Sequence, residues 1–117
     1  YLNIGVLCLF DGNPEILFKI IKSIEKKIGR FKTKKNDPRV CDIDIIDYNS
    51  DIVKKGFIDL PHLRCHTRNF VLYPIKEIDS NWIHPVLGQN VNNLIKKLDF
   101  KSRIEITRLS KNVNIKL

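Results

Sequence analysis

The amino-acid sequence predicts a mixed α+β domain, because strand-like and helix-like patterns follow one another in a chain of 117 residues. A near-continuous apolar stretch over residues 2–10 ends at the turn sequence DGNP, which is typical of a buried strand. Apolar residues at helical spacing then occupy residues 14–29. Residues 40–48 alternate between polar and apolar side chains, which predicts a second strand.

Local signals mark where these elements start and end. Asn13 is a suitable N-cap for the first helix, with Pro14 in its first turn, and Gly29 ends the helical pattern. Residues 30–39, RFKTKKNDPR, predict a polar loop with five cationic side chains. Residues 52–53 predict a short strand that pairs back on the second strand.

The elements in the second half of the chain are shorter. Residues 68–78 predict a helix interrupted by Pro74, and residues 91–98 predict another helix after a turn at Gly88. The alternating segment RIEITRL at 103–109 predicts a last strand. The polar residues after it predict a linker.

Composition restricts the class of protein. The chain carries 21 Lys and Arg against 13 Asp and Glu, and this net charge of +8 favours nucleotide phosphates, nucleic acid or a membrane surface as partners. A lysine-rich composition alone would also explain the charge. No apolar run approaches the roughly 18 residues that span a bilayer. The three cysteines are irregularly spaced, which predicts a reduced, cytoplasmic protein without a disulfide framework.

Asp42 and Asp44 are the strongest chemical signal in the sequence. Residues i and i+2 of a strand share a face, so the carboxylates would lie roughly 6–7 Å apart on the inner face, with Ile43 and Ile45 facing outward. Two like charges repel unless a cation lies between them, and Mg²⁺ prefers carboxylate oxygens together with substrate phosphates. Two such ions can hold a phosphoryl group during its transfer. The alternative is an exposed strand face with ordinary acidic residues.

The cationic loop before this pair supports a phosphate-binding interpretation. Phosphoryl transfer needs metal ions that bridge phosphate oxygens and cations that neutralise the developing charge. A loop can also close over the substrate and exclude water. The alternative is a solvated basic turn. The loop cations are Arg30, Lys32, Lys34, Lys35 and Arg39.

Four blocks of the sequence, in order, resemble a known family. GRFKTKKNDPRVCDIDII is similar to the motif of the 6-hydroxymethyl-7,8-dihydropterin pyrophosphokinases, in which Pro-Arg and two spacer residues precede Asp-x-Asp and two aliphatic residues. LPHLRCHTRNFVLYPIKEI resembles the family's second block, WIHPVLGQNV resembles its C-terminal pattern, and the opening YLN resembles its pterin-binding segment. The matching residues are Asn3, Pro38, Arg39, Asp42, Asp44, Ile45, Ile46, Pro61, His62, Arg68, Phe70 and Pro74.

The resemblance implies a fold. The family has a ferredoxin-like α/β sandwich with a mainly antiparallel sheet, and its N-terminal β-α-β unit has no counterpart in these residues, so an N-terminally incomplete fold is expected. Residues 1–98 would form the pyrophosphokinase core. Residues 99–117 would form a C-terminal strand and a linker, or the start of a following domain such as the dihydropteroate synthase that is fused to some members.

The resemblance also implies a reaction and its residues. The family transfers pyrophosphate from ATP to 6-hydroxymethyl-7,8-dihydropterin with two Mg²⁺ ions, and it yields AMP and the pterin diphosphate in folate biosynthesis. The metal ligands would be Asp42 and Asp44. The catalytic cations would be Arg30, Lys32 and Arg39. The ATP-binding residues would be Glu25, His62 and Arg68. The pterin-binding residues would be Asn3, by a hydrogen bond, and Phe70, by ring stacking.

Individual site residues also have ordinary structural explanations. Asn3 would suit a strand start, and His62 would suit a turn cap. Phe70 lies among apolar neighbours and would suit a core position. Arg68 would suit an ion pair with a neighbouring acid.

Further alternatives concern the kind of site and the class of protein. His62, Cys65 and His66 invite a zinc site, but no fourth ligand follows at standard spacing. The chain as a whole could be a degenerate homologue without catalysis, or a small basic RNA-binding module. The RNA-binding module would need aromatic residues beside the basic ones on a sheet face, whereas Tyr48 and Phe57 are isolated.

Overall fold

The computed structural model describes residues 2–29 and 41–106. Helices and a two-stranded antiparallel sheet together give the α+β class that the sequence predicts. None of the described helices combines the length and apolarity of a transmembrane span. The regular elements, in order, are helix α1 (Pro14–Gly29), strand β1 (Val53–Lys54), strand β2 (Asp59–Leu60), a 3₁₀ turn (Cys65–Thr67), helix α2 (Asn69–Ile78), helix α3 (Val91–Lys96) and helix α4 (Phe100–Ile104).

Helix α1 has the bounds that its local signals predict. The Asn13 side chain accepts a hydrogen bond from the Ile16 amide at 2.9 Å and so caps the N-terminus. Glu15 lies in the first turn and Lys26 and Lys27 lie in the last, which suits the helix dipole. No residue of α1 is buried, so the helix lies on the surface of the described part of the chain.

Two of the predicted strands are wrong for the residues that the structure describes. Residues 2–10 and 41–47 have no strand partner among them. A strand is stabilised by hydrogen bonds to a neighbouring strand, and a local apolar or alternating pattern does not supply that neighbour. Residues 2–10 instead pass close to α2, since a Cβ atom on Gly5 would lie 3.1 Å from the carbonyl oxygen of Pro74.

The alternation at 41–47 has the opposite sense to the predicted one. Ile43 and Ile45 are half-buried, whereas Asp42 and Asp44 are exposed. Burial of an aliphatic side chain is favourable, and burial of an unpaired carboxylate is costly. The acidic pair is therefore open to solvent and to ligands.

Strands β1 and β2 form a short antiparallel hairpin in which Val53 pairs with Leu60. Gly56 has a φ angle of +80° in the connecting turn, a conformation that glycine adopts at low cost. The predicted strand at 52–53 is confirmed for Val53 alone, because Ile52 precedes β1 and is exposed. The partner of this strand is β2 rather than residues 41–48.

The hydrophobic core of the described residues lies between α2 and α3. Leu72 of α2 and Val91 of α3 have no exposed surface. The predicted helix at 68–78 is confirmed over Asn69–Ile78, but the predicted interruption is wrong, because Pro74 lies inside α2 without ending it. The buried members of the core cluster are Leu72, Ile75, Val91, Leu94, Ile95 and Leu98.

The chain turns back on itself before α3. Ile83 and Asn90 form an antiparallel bridge, and Gly88 has a φ angle of +66° at the predicted turn. The Asn90 side chain accepts a hydrogen bond from the Asn92 amide at 2.8 Å and caps α3. This helix confirms the prediction at 91–98, although it ends at Lys96.

The predicted strand at 103–109 is wrong where the structure describes it. Arg103 and Ile104 lie in α4. The Asp99 side chain accepts a hydrogen bond from the Ser102 amide at 2.7 Å, and this cap starts a helix where the alternating pattern indicates a strand. Residues 107–117, with the end of that strand and the linker, lie outside the described residues.

Candidate functional site

A groove of about 410 Å³ lies between α1, the segment at 43–45 and the residues that lead from the hairpin to α2. Helix α1 contributes Phe18, Ile21 and Lys22 to its lining. These residues follow the i, i+3, i+4 spacing of one helix face, so a single face of α1 forms one wall. The opposite lining combines apolar and charged side chains.

Two aromatic rings lie side by side in the groove lining. The ring centroids of Phe18 on α1 and Phe57 in the hairpin turn are 5.9 Å apart, with 55° between the ring planes. The ammonium group of Lys22 lies 5.3 Å from the Phe18 centroid, within cation–π range. Phe57 is 56% exposed, so its ring offers a planar base a surface for stacking.

Cationic and polar side chains line the same groove. His62 Nδ1 accepts a hydrogen bond from the Arg64 amide at 3.2 Å, which is the turn-capping role considered above. In the neutral ring, Nε2 then carries the proton and is available to donate to an anion. Arg68 precedes α2, and its guanidinium carbon lies 5.5 Å from the centroid of the Phe70 ring. With Lys22, these groups suit the binding of several phosphate oxygens.

The acidic pair lies at this groove. Asp44 lines it, whereas Asp42 lies beside Glu25. Both aspartates are exposed and are separated by one residue. Accessible carboxylate oxygens are the ligands that Mg²⁺ prefers, so the residues present fit this ion.

Glu25 holds the backbone of the acidic segment and does not line the groove. Its Oε2 atom accepts a hydrogen bond from the Ile43 amide at 2.9 Å, and its Oε1 atom lies 3.0 Å from Lys22 Nζ. Burial alone would raise the pKa of Glu25, but the hydrogen bonds from Ile43 and Lys22, together with the positive charge of Lys22, outweigh burial and lower the pKa below its ordinary value. Glu25 therefore stays ionised and acts as an acceptor at neutral pH.

The structure brings Asp44, His62 and Arg68 together in one groove lining. Asp42 and Glu25 adjoin it through the contacts of Ile43 and Lys22. These five residues, which come from three separate parts of the sequence, thus occupy one region of the fold.

The remaining predicted site residues lie elsewhere or outside the described chain. Phe70 contacts Arg68 without lining the groove, and it is 42% exposed, so the alternative of a core position for Phe70 is wrong. Asn3 is exposed in the segment at 2–10 and does not line this groove. Arg30, Lys32 and Arg39 lie outside the residues that the structure describes.

Sequence reasoning missed Phe18, Lys22, Arg64 and Phe57 as groove residues. A signal existed for α1, where Phe18, Lys22 and Glu25 share one helical face beside the aliphatic face. No comparable signal existed for Phe57, because its place in the groove depends on the β1–β2 turn.

The candidate zinc ligands that the structure brings together differ from the set that the sequence suggests. The ligand atoms of Cys65, His66 and His84 all lie within 4.8 Å of one another. However, His84 Nδ1 accepts hydrogen bonds from the Val86 and Leu87 amides, both at 3.1 Å, so Nε2 carries the proton and has no lone pair for a metal. The cluster offers three ligand atoms. The described cluster therefore falls short of the four ligands of a structural zinc site.

We expect the free energy of unfolding to decrease as the pH falls below about 6.5. Burial, together with the neighbouring His66, lowers the pKa of His84 below its ordinary value, although the Asp47 carboxylate opposes this shift. The unfolded chain then binds a proton that the folded chain does not, so stability is complete above the unfolded pKa and is lost as the pH falls towards the folded pKa.

Urea denaturation of the wild type and His84→Asn, at about pH 5.5 and about pH 7.5, measures this contribution. Asparagine retains an acceptor for the turn amides but does not titrate, so the variant should lose less stability between the two pH values. An equal loss in both proteins would show that His84 does not cause the pH dependence.

The fold and the groove define a class of proteins in which an α+β core carries a groove lined by aromatic, cationic and acidic side chains. The family model described as "7,8-dihydro-6-hydroxymethylpterin-pyrophosphokinase (HPPK)" matches residues 1–80, and the chain belongs to this family. The family resemblance inferred from the sequence motifs is thereby confirmed.

Relatives support this membership. The chain is 45% identical over 84 residues to "Folic acid synthesis protein FOL1" of Dictyostelium discoideum, covering 72% of the chain and 13% of that protein. It is 32% identical over 99 residues to the "2-amino-4-hydroxy-6-hydroxymethyldihydropteridine pyrophosphokinase" of Synechocystis, covering 85% of the chain and 51% of the relative. The protein of the same name from Aquifex aeolicus is 38% identical over 73 residues, covering 62% of the chain and 46% of the relative. The chain thus spans about half the length of these two pyrophosphokinases and a much smaller part of the FOL1 protein.

Proposed function

We propose that this chain takes part in the transfer of pyrophosphate from ATP to 6-hydroxymethyl-7,8-dihydropterin, which yields AMP and the pterin diphosphate for folate biosynthesis. The observation that carries the proposal is the shared groove of Asp44, His62 and Arg68, three residues that belong to two separate family motifs. Family membership and the names of the Synechocystis and Aquifex relatives support the same reaction.

The lining of the groove favours one orientation of ATP. The base would stack near Phe18 and Phe57, where the lining is aromatic, and the phosphates would lie against His62 and Arg68. The groove volume of about 410 Å³ is within the range of small-molecule sites. A guanidinium group and an imidazole N–H are both donors that match phosphate oxygens.

Asp42 and Asp44 would hold the Mg²⁺ ions. Bound Mg²⁺ neutralises phosphate charge and orients the group that is transferred. The contribution of the chain itself is to place two carboxylates at the edge of a groove that Lys22, Arg64 and Arg68 also line, so that metal ions and cationic side chains would together bind a polyphosphate.

The remaining assignments extend this proposal to residues that the groove does not include. Arg30, Lys32 and Arg39 would supply further positive charge to the phosphates. Asn3 and Phe70 would contact the pterin. The fold would be of the ferredoxin-like type, with the pyrophosphokinase core over residues 1–98 and a strand and linker over residues 99–117. The proposed location is the cytoplasm, and a dihydropteroate synthase is a proposed fused neighbour.

The test is AMP formation from ATP, Mg²⁺ and the hydroxymethyl-dihydropterin, followed by chromatography. We expect AMP to appear only when the pterin is present. Calorimetry with a non-hydrolysable ATP analogue runs beside it. Binding of the analogue with Mg²⁺ but without AMP formation would favour the degenerate homologue, and the absence of both would overturn the proposal.

A further inference from the structure

We propose that Glu25 is a positioning residue for the acidic pair, and this inference rests on the metal role proposed above for Asp42 and Asp44. Its carboxylate would set the backbone direction between the two aspartates. The proposed role differs from direct contact with ATP, which the family resemblance implies for Glu25, because Glu25 does not line the groove.

The hydrogen bond between Glu25 and the Ile43 amide holds the backbone between Asp42 and Asp44, and this backbone sets the direction of both carboxylates. The Ile43 amide, which donates to Glu25 Oε2 at 2.9 Å, belongs to the peptide that joins Asp42 to Ile43. Fixing that peptide plane restricts the backbone rotations on either side of it, and these rotations aim the side chains of residues 42 and 44. The Glu25 side chain is 11% exposed, so water competes weakly for this bond.

Further support for the acidic segment lies at its far end, where Trp82 Nε1 donates a hydrogen bond to Asp47 Oδ2 at 2.8 Å and Ile46 packs against the core. Among the described residues no strand pairs with residues 41–47, so the hydrogen bonds of a sheet do not hold it. The His62 amide donates to the Ile46 carbonyl oxygen at 2.9 Å and secures the far end of the segment. Glu25 secures the part of the segment beside the two aspartates through its hydrogen bond with the Ile43 amide.

The second carboxylate oxygen of Glu25 links this segment to the groove. Its Oε1 atom lies 3.0 Å from Nζ of Lys22, which lines the groove. Lys22 and Glu25 are three residues apart on α1, so one helix face presents both groups. A single carboxylate therefore fixes a groove cation and the metal-binding segment in one arrangement.

Four variants test the role of Glu25 through metal binding rather than turnover. The readout is the affinity for Mn²⁺, as a paramagnetic substitute for Mg²⁺, measured by electron paramagnetic resonance with a non-hydrolysable ATP analogue present. Residues that orient metal ligands typically change metal affinity by about 10- to 100-fold when they are removed, so Glu25→Ala should bind Mn²⁺ at least about 10-fold more weakly. Glu15→Ala removes an acid from the same helix that pairs with Lys55, and it should bind as the wild type does.

The remaining two variants separate a hydrogen bond from a charge. Glu25→Gln retains an oxygen at the same reach for the Ile43 amide, whereas Glu25→Asp keeps the charge but withdraws the oxygen by one methylene group. Positioning predicts that the Gln variant stays close to the wild type and that the Asp variant resembles Glu25→Ala. If instead Glu25→Asp binds Mn²⁺ as the wild type does and Glu25→Gln binds it weakly, the role of Glu25 is purely electrostatic. The comparison of these two variants distinguishes positioning from charge even if Glu25→Ala does not fold.

Two other outcomes have different meanings. Equal Mn²⁺ affinity in the wild type, Glu25→Ala and Glu25→Asp would overturn the positioning role and leave the proposed metal site intact. If the wild type binds no Mn²⁺ with the ATP analogue, the proposed metal site is overturned, and the role of Glu25 fails with it.

Discussion

Replacing Asp44 by alanine is expected to reduce pyrophosphoryl transfer by at least about 100-fold while leaving the chain folded. Asp44 is exposed and lines the groove, so its removal deletes a metal ligand and costs little packing. The charge that develops on the transferred group would then lack its counter-ion at one position. The measurement is kcat from AMP formation, together with urea denaturation to confirm that stability is retained.

Asp51 provides the matched control for this substitution. It is also an exposed acid, but it lies outside the groove lining, and its backbone amide rather than its side chain bonds to the Tyr48 carbonyl oxygen at 2.8 Å. Asp51→Ala should keep both activity and stability. Wild-type turnover in Asp44→Ala would contradict the metal role. An equal loss of turnover in both variants would show that removing one negative charge at either position has the same effect.

The second large effect concerns stability and is expected at Leu72. Its side chain has no exposed surface and packs in the cluster that joins α2 to α3. Leu72→Ala should lower the free energy of unfolding by about 2–5 kcal/mol, because it removes buried methyl groups and leaves a cavity. Small domains have a total stability of about 5–15 kcal/mol, so this loss would leave a substantial fraction of the chain unfolded or close to unfolding.

Urea denaturation of Leu72→Ala and Lys76→Ala measures this effect. Lys76 lies on the exposed side of the same helix, so its substitution changes helix propensity and charge without a cavity. We expect the control to differ from the wild type by less than about 0.5 kcal/mol. A similarly small change for Leu72→Ala would mean that the α2–α3 interface is not the core of the domain.

The helices were predictable to the extent that their signals are local. Asn13 and Gly29 bracket an aliphatic repeat, and α1 has those bounds. A helix satisfies its backbone hydrogen bonds within its own segment, so sequence spacing and caps carry most of the information. The predicted last strand is wrong because the Asp99 side chain caps a helix at this point, and the alternating pattern does not reveal that cap.

Strands and site contacts were less predictable because they need a distant partner. Residues 2–10 carry a strand pattern, yet no described strand lies beside them. In the same way, the sequence marks Asp44, His62 and Arg68 through family motifs but does not show that they share a groove. It gives no indication that the Phe57 ring contacts the Phe18 ring in the lining of that groove.

The sequence by itself determined the α+β class, the position of the first helix, the family and the acidic pair with its motif partners, because each depends on residue types at short spacing. Only the tertiary structure decided that Asp42 and Asp44 face solvent while Ile43 and Ile45 are half-buried. It also decided that Glu25 bonds to the Ile43 amide between the two aspartates. That bond joins residues 18 positions apart, so it depends on how α1 packs against the acidic segment and not on any local pattern.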